Sequence, residues 1–361
     1  MKNFFIIMAG GIGSRFWPRS REKNPKQLLK INSQNTMIQN TLQRIEGLVD
    51  PKDTLIITTK TQKPNLIHQV PQIPEENIIA EPFGKNTAPC IGLAAILIER
   101  FYPDAVMSII CADHIIANEE EFKRIMKVGA EVAYESKSLI TIGIVPRRPE
   151  TGYGYIQFDD EKKESNPYYD RGIFTVKTFA EKPNLETAER FLKSGDFLWN
   201  SGMFIWRVDT ILEQYKMFLP DLYEELVNLK EKVLNPDFDN ELEQMYRRIK
   251  GISIDYGIME KAKNVYVTKG DFGWSDLGSW DEVYNISQKD QNQNATVGKT
   301  YLFNTTNTYI YSPNKFVATI DVDNLIIINT DDALLICKRE KSQNVKEVVD
   351  YLKRKQMNDL L

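Results

Sequence analysis

Phe4 to Ile7 is a short apolar, β-prone run closed by Gly10, Gly11 and Gly13, the pattern of a buried parallel strand feeding a loop and then a helix. Runs of the same kind recur at 54–58, 105–111 and 139–144, and between them apolar residues fall at helical spacing over 37–48, 91–100 and 119–135. Strands alternating with helices predict a doubly wound, Rossmann-like α/β sheet with its ligands at the carboxyl ends of the strands.

From Thr151 the texture changes. Residues 152–156 and 174–176 read as antiparallel strands, which makes the sheet mixed, and 185–192 as a helix with an acidic first turn. Residues 211–249 are dense in Leu, Glu and Lys at helical spacing and predict a surface helical excursion with solvated charged faces and no chemistry of its own. The polar stretch 287–294 reads as a linker. It divides the chain into a large domain over 1–285 and a small β-rich domain over 286–361. In the latter, short β-prone runs at 309–311, 316–320, 325–328 and 333–337 are separated by Asn and Asp turns. Their spacing predicts a short β-helix-like solenoid or a sandwich, ending in an amphipathic helix over 345–352.

Composition narrows the function by exclusion. With 46 Lys and Arg against 50 Asp and Glu, the formal charge is -4, giving no electrostatic footprint for nucleic acid or an anionic membrane. Cys90, Cys111 and Cys337 fit neither a disulfide framework nor a CxxC site, which points to a reducing, cytoplasmic setting. His68 and His114 make no zinc spacing with those cysteines, which argues against a transition-metal site and leaves an oxygen-ligated Mg²⁺ open. The apolar run at the start is too short for a signal peptide, and no other run reaches membrane-spanning length.

The most informative segment is Met8-Ala9-Gly10-Gly11-Ile12-Gly13-Ser14-Arg15, followed by Asn24-Pro25-Lys26-Gln27-Leu28. Its glycines allow positive φ and close backbone approach, so successive N–H groups can point at phosphate oxygens while Arg15 and Lys26 add charge. It lacks the third glycine of GxGxxG and the Gly-Lys-Ser/Thr of a Walker A loop. Ser14 and Arg19 could face phosphate or solvent.

Asp113 follows the run 105–111 and so sits at a strand's carboxyl end, suited to a Mg²⁺ that bridges phosphates; a turn-forming Asp is the alternative. Asp276, framed by Trp274, Gly278 and Trp280, is the candidate partner ligand, whereas His114 fits a supporting or packing role as well as that of a ligand. Glu81, Asn86 and Thr87 offer acceptors suited to guanine's N1–H and amine, though Asn86 or Thr87 could equally cap a helix starting near Ala88. Gly154 permits close approach to a sugar ring, with Glu181 and Asn200 as compact hydrogen-bonding groups. Lys182 suits a sugar phosphate, unless Glu181 and Lys182 form only a solvated pair before Pro183.

The glycine loop with its Pro-Lys-Gln-Leu arm resembles the signature of the sugar nucleotidyltransferases. Together with Pro82-Phe83-Gly84-Lys85-Asn86-Thr87-Ala88-Pro89, Ala112-Asp113-His114, Phe179-Ala180-Glu181-Lys182-Pro183, 199–204 and 273–280, it is similar to the mannose-1-phosphate guanylyltransferase family from the first strand to the last helix. Lys85 stands where the family pattern leads one to expect arginine, keeping the charge without the planar fork.

The resemblance implies a nucleotidyltransferase domain, GTP and mannose 1-phosphate as substrates, and Mg²⁺ as cofactor. It assigns Arg15, Lys26 and Lys182 to catalysis, and Ala9, Gly10, Gly11, Gly13, Ser14, Glu81, Asn86, Thr87 and Asp113 to the nucleotide. Gly154, Glu181 and Asn200 fall to the sugar, and Asp113 and Asp276 to the metal. Asp255 matches a further motif, in a contacting or supporting role. The expectation for the C-terminal domain is that it holds no catalytic residue and either mediates a homodimer or covers the active site. A further isomerase domain, as in longer members, is not expected.

Overall fold

Nine strands build the large sheet: β1 (Asn3–Met8), β2 (Thr54–Thr59), β3 (Ile78–Glu81), β4 (Val106–Cys111), β5 (Leu139–Ile144), β6 (Tyr155–Asp159), β7 (Ile173–Ala180), β8 (Phe197–Arg207) and β9 (Val265–Gly270). The structure is a computed structural model and describes residues 1–31, 33–162 and 164–361. Strand order is β3-β2-β1-β4-β8-β5-β9-β7-β6. The strands β3, β2, β1 and β4 are parallel, with Met8 of β1 level with Ile57 and Cys111. The loop after β1 and the Asp113 turn after β4 therefore emerge side by side, at the end of the sheet where ligands bind in such folds. Antiparallel β8 separates β4 from β5, so the sheet is mixed as its alternating second half implied.

Helices cover both faces. On one side α3 (Thr87–Glu99), α6 (Val208–Phe218), α7 (Pro220–Lys230) and α8 (Phe238–Arg248) share a core with Phe4, Ile6 and Phe204. On the other, α1 (Met37–Arg44), α2 (Lys63–Gln69) and α4 (Glu119–Ser136) pack against Phe5, Ile7 and Ile110. Helix α5 (Leu185–Ser194) lies beside β8, capped by the Asn184 side chain.

Three expectations need correction. Residues 211–249 are not a surface excursion: Ile211, Tyr215, Leu226, Met245 and Tyr246 are buried, because their apolar stripes cover α3, which is apolar all round and must be packed on every side. Helix α1 stops at Arg44 rather than reaching 48, and residues 45–49 turn away toward β2. The strand expected over 152–156 starts at Tyr155, leaving Gly152 to Gly154 as a loop whose last carbonyl accepts the Asn200 N–H.

Helix α9 (Trp280–Ile286) leads into the C-terminal domain of β10 (Ala295–Phe303), β11 (Tyr309–Ile320), β12 (Leu325–Asn329) and β13 (Leu334–Lys338). The first three are parallel and the last antiparallel. Between them the chain reverses at Asn304, Asn307, Asp321 and Asn324, all at positive φ, which Asn and Asp tolerate best among residues with a side chain. Parallel rungs joined by such turns make a solenoid, which settles the choice against a sandwich. Helix α10 (Val345–Arg354) closes it. Val345, Val349 and Leu352 of α10 share one core with Tyr309, Ile326, Trp280 and, from the glycine loop, Phe16 and Trp17. No helix among the described residues is long and apolar enough to cross a membrane.

Candidate active site

The loop after β1 is held by its carbonyls. Gln27 donates to the Ala9 and Gly11 oxygens at 2.6 and 3.1 Å, Thr58 to Ala9 at 3.0 Å and Gln62 to Gly11 at 3.3 Å. Ala9 is an anchor, since its N–H is also spent, on Ile57. By contrast, the N–H groups of Gly10, Gly11, Ile12, Gly13 and Ser14 have no hydrogen-bond partner among the described residues. A run of pinned carbonyls and open N–H groups is an anion cradle. Gly13 is required twice over: its φ is +71°, and a Cβ there would lie 2.4 Å from the Lys26 Cβ.

Gly13, Ser14, Arg15, Lys26, Asp113, His114 and Asp276 line one cavity of about 370 Å³. Lys26 is buried, donating to Asp113 Oδ2 at 2.8 Å and to the Asp276 carbonyl at 2.6 Å. Burial opposes ionisation of Asp113, but the Lys26 charge and hydrogen bond hold its carboxyl below the ordinary value. Burial instead lowers the pKa of His114, whose Nδ1 accepts the Trp274 indole N–H at 3.1 Å, so this ring is a neutral supporting group. Asp276 Oδ1 accepts the Tyr153 hydroxyl at 2.5 Å. Burial and the nearby Glu282 charge raise the Asp276 carboxyl above its ordinary value.

These two aspartates can be tested as Mg²⁺ ligands on their own geometry. Each keeps one carboxylate oxygen without a side-chain donor among the described residues, and the crowding that raises Asp276 would be relieved by a cation. No group of three or more acidic, His or Cys side chains suited to a metal exists among the described residues. The donor set therefore fits Mg²⁺, which is usually held by one or two carboxylates and completed by phosphate and water.

Glu81 closes β3 nearby. It is buried, accepts the Tyr246 hydroxyl at 2.8 Å, and burial pushes its carboxyl up to about 7 despite that bond. Its Oε2 lies 3.3 Å from where a Cβ of Gly10 would be. Asn86, at φ +72°, caps α3 through the Thr87 N–H, and the Thr87 hydroxyl accepts from Ile254 N–H at 2.8 Å. Lys85 reaches the Ile249 carbonyl at 3.0 Å.

A second cluster is joined to the first through Tyr153, whose ring meets Trp199 and Trp274 edge-on. A Cβ on Gly154 would fall 2.2 Å from Glu181 Oε2. Asn200 donates to Asp255 Oδ1 at 2.7 Å, and burial with the Glu181 charge raises the Asp255 carboxyl. Lys182 is exposed and pairs with Glu181 at 3.0 Å.

Sequence reasoning did not single out Tyr153, Tyr246 or Glu282. It expected no catalytic residue from the C-terminal domain and left open that this domain covers the site; Lys346 lines the cavity with Arg15, and Gln343 lines an adjoining one of about 260 Å³ with Tyr153 and Asp276. This placement has a packing cause: the buried face of α10 sits on Phe16 and Trp17. Trp17 Nε1 donates to the Leu360 carbonyl at 2.9 Å, and Arg21 donates to the same oxygen and pairs with Asp332 at 2.8 Å. Arg19 stacks 4.0 Å over Tyr311.

Residues 5–293 match the model of the nucleotidyl transferase family and 298–352 that of the MannoseP isomerase/GMP-like beta-helix domain. A mannose-1-phosphate guanylyltransferase of Klebsiella pneumoniae is 40% identical over 98% of this chain and 74% of its own length. The ManC enzyme of that name from Salmonella typhimurium is also 40% identical, over 98% of this chain and 73% of its own. A crystal structure described as a mannose-1-phosphate geranyltransferase of Thermus thermophilus superposes with TM-score 0.87 at 30% identity, covering 98% of this chain and all of that one.

Proposed function

Because the chain belongs to the mannose-1-phosphate guanylyltransferases, a family of nucleotidyl transferases, we propose that it transfers GMP from GTP to mannose 1-phosphate, releasing pyrophosphate. The observation that carries this reading is the row of N–H groups from Gly10 to Ser14 without a partner among the described residues, which ends, at Gly13 and Ser14, on the wall of a cavity with Lys26 and two aspartates. That arrangement is built for a polyphosphate, and Glu81 beside Gly10 supplies an acceptor for guanine's N1–H and amine.

The sugar phosphate is already an anion at neutral pH, so it needs no general base. The work of the protein is to align two mutually repelling anions and offset charge in the transition state. Arg15 and the loop N–H groups hold the triphosphate. Lys26, fixed by Asp113 and the Asp276 carbonyl, presents its charge without any reorganisation during the reaction. Asp113 and Asp276 would hold Mg²⁺, which when bound neutralises phosphate charge. Glu181 and Asn200 bind sugar hydroxyls, with Gly154 giving the Glu181 carboxylate room and Asp255 fixing the Asn200 amide. Lys182 swings from Glu181 to the attacking phosphate.

The attacking oxygen forms a bond to the α-phosphorus as the bond to the bridging oxygen breaks, and pyrophosphate leaves with that electron pair. A panel of GTP, ATP, UTP and dTTP against several sugar 1-phosphates, read by pyrophosphate release with and without Mg²⁺, tests the proposal. Turnover greatest with GTP, mannose 1-phosphate and Mg²⁺ is expected; preference for another pair would overturn it.

A further inference from the structure

The cavity around the glycine loop has one wall that the nucleotidyl transferase domain does not supply. Lys346, in the first turn of α10, stands there opposite Gly13, Ser14 and Arg15. Its placement follows from the helix: Val345, Val349 and Leu352 face the shared core, so the next residue along is turned to the edge of that face, toward the cavity.

The charge balance of the cavity gives this lysine its meaning. Among the charged groups lining it, Lys26 is matched by Asp113 and Arg15 by Asp276, so without Lys346 the lining carries no net charge. Lys26 is moreover already committed to two protein oxygens. Arg15 and Lys346 are both exposed, and neither has an ion-pair or side-chain hydrogen-bond partner among the described residues. For Lys346 this holds although Asp350 lies four residues on, within reach along a helix. Lys353 of the same helix, by comparison, pairs with Glu22 at 3.4 Å. An unpaired ammonium at the mouth of a cavity lined with free backbone N–H groups is a phosphate ligand awaiting its anion.

We propose that Lys346 is a binding residue contributed by the β-helix domain, whose ammonium contacts the β- and γ-phosphates of GTP and stays on the pyrophosphate as it leaves. This rests on the functional reading above and deepens it, since the C-terminal domain becomes part of the active site. Arg15 and Lys346 thus bracket the leaving group from two domains, while Lys26 stays with the aspartates.

The test compares Lys346→Ala, Lys346→Arg and Lys355→Ala in the full chain. Lys355 follows the last turn of the same helix, about 13 Å along the axis, and its loss changes net charge equally. Lys346→Ala is expected to raise KM for GTP, and Kd for inorganic pyrophosphate by calorimetry, about tenfold. KM for mannose 1-phosphate should stay within about twofold, Lys346→Arg should recover most of the loss, and Lys355→Ala should match wild type. Unchanged GTP and pyrophosphate constants in Lys346→Ala would overturn the proposal. So would an equal loss in Lys355→Ala, or a loss confined to mannose 1-phosphate. Should the wild-type protein release no pyrophosphate from GTP with mannose 1-phosphate, the functional reading fails by itself, and the pyrophosphate titrations still decide the role of Lys346.

Discussion

The two halves of the site, proposed above for phosphate and for sugar, are built on opposite plans. Around the glycine loop, the main chain is what the site presents: side chains of Gln27, Thr58 and Gln62 are spent fixing carbonyls while N–H groups stay open. Around Gly154, side chains fill the space instead: a Cβ there would collide with Glu181, and Asn200 beside it donates to Asp255. The first plan suits a ligand made of identical charged oxygens. The second suits a ligand whose hydroxyls differ only in direction, because a compact acceptor left unpaired penalises the wrong epimer.

Substitutions should separate the halves, and the largest effect falls on the phosphate side. Lys26→Ala removes the charge that both aspartates organise and should lower kcat by about 10²–10³-fold while circular dichroism still reports a folded protein. Undiminished turnover would break the division of labour. Next, Gly154→Ala pushes Glu181 from its place and should raise KM for mannose 1-phosphate about 10–100-fold with little change for GTP. An equal rise for both substrates would show the halves to be one unit.

The smallest effect is a pH dependence at the nucleotide's base. With its carboxyl up at about 7, Glu81 ionises between pH 6 and 8, and only the carboxylate offers guanine a second acceptor while Tyr246 occupies the first. KM for GTP should therefore fall up to about tenfold across that interval, and Glu81→Gln should abolish the Glu81 contribution. Stability runs the other way. The folded value lies above the ordinary 4.5, so the stabilising contribution is complete below about 4.5 and is lost as pH rises through 7. The melting temperature of the ligand-free protein should decline over that window, less so in Glu81→Gln. Removing the hydroxyl in Tyr246→Phe, which lowers the Glu81 value, should move both transitions to higher pH.

What the sequence disclosed followed the same division. The glycine loop, Lys26 and the strand-end position of Asp113 were legible because local chemistry fixes them: a backbone needing positive φ takes glycine, and a carboxylate just past an apolar run sits at a strand's end. Residues that act by meeting a distant segment left no local mark. Tyr246 reaches Glu81 across 165 positions, and Tyr153 reaches Asp276 across 123. Residues 211–249 were misread because charged flanks dominate their composition, while the apolar stripe facing α3 could be recognised only with α3 in place. Lys346 was hidden differently, as one lysine in an amphipathic helix rich in them.

The hydrogen bonds from Trp17 and Arg21 to the Leu360 carbonyl carry a consequence for how the enzyme is made. The glycine loop leaves the ribosome 343 residues ahead of the carbonyl that fastens it. At ordinary elongation rates of ~5–20 residues per second, the interval is roughly 15–70 s. Through that time the nascent chain carries a glycine loop with Phe16 and Trp17 uncovered. Fastening of the loop thus waits until Leu360 has been made, and until then Phe16 and Trp17 offer a chaperone an exposed aromatic pair.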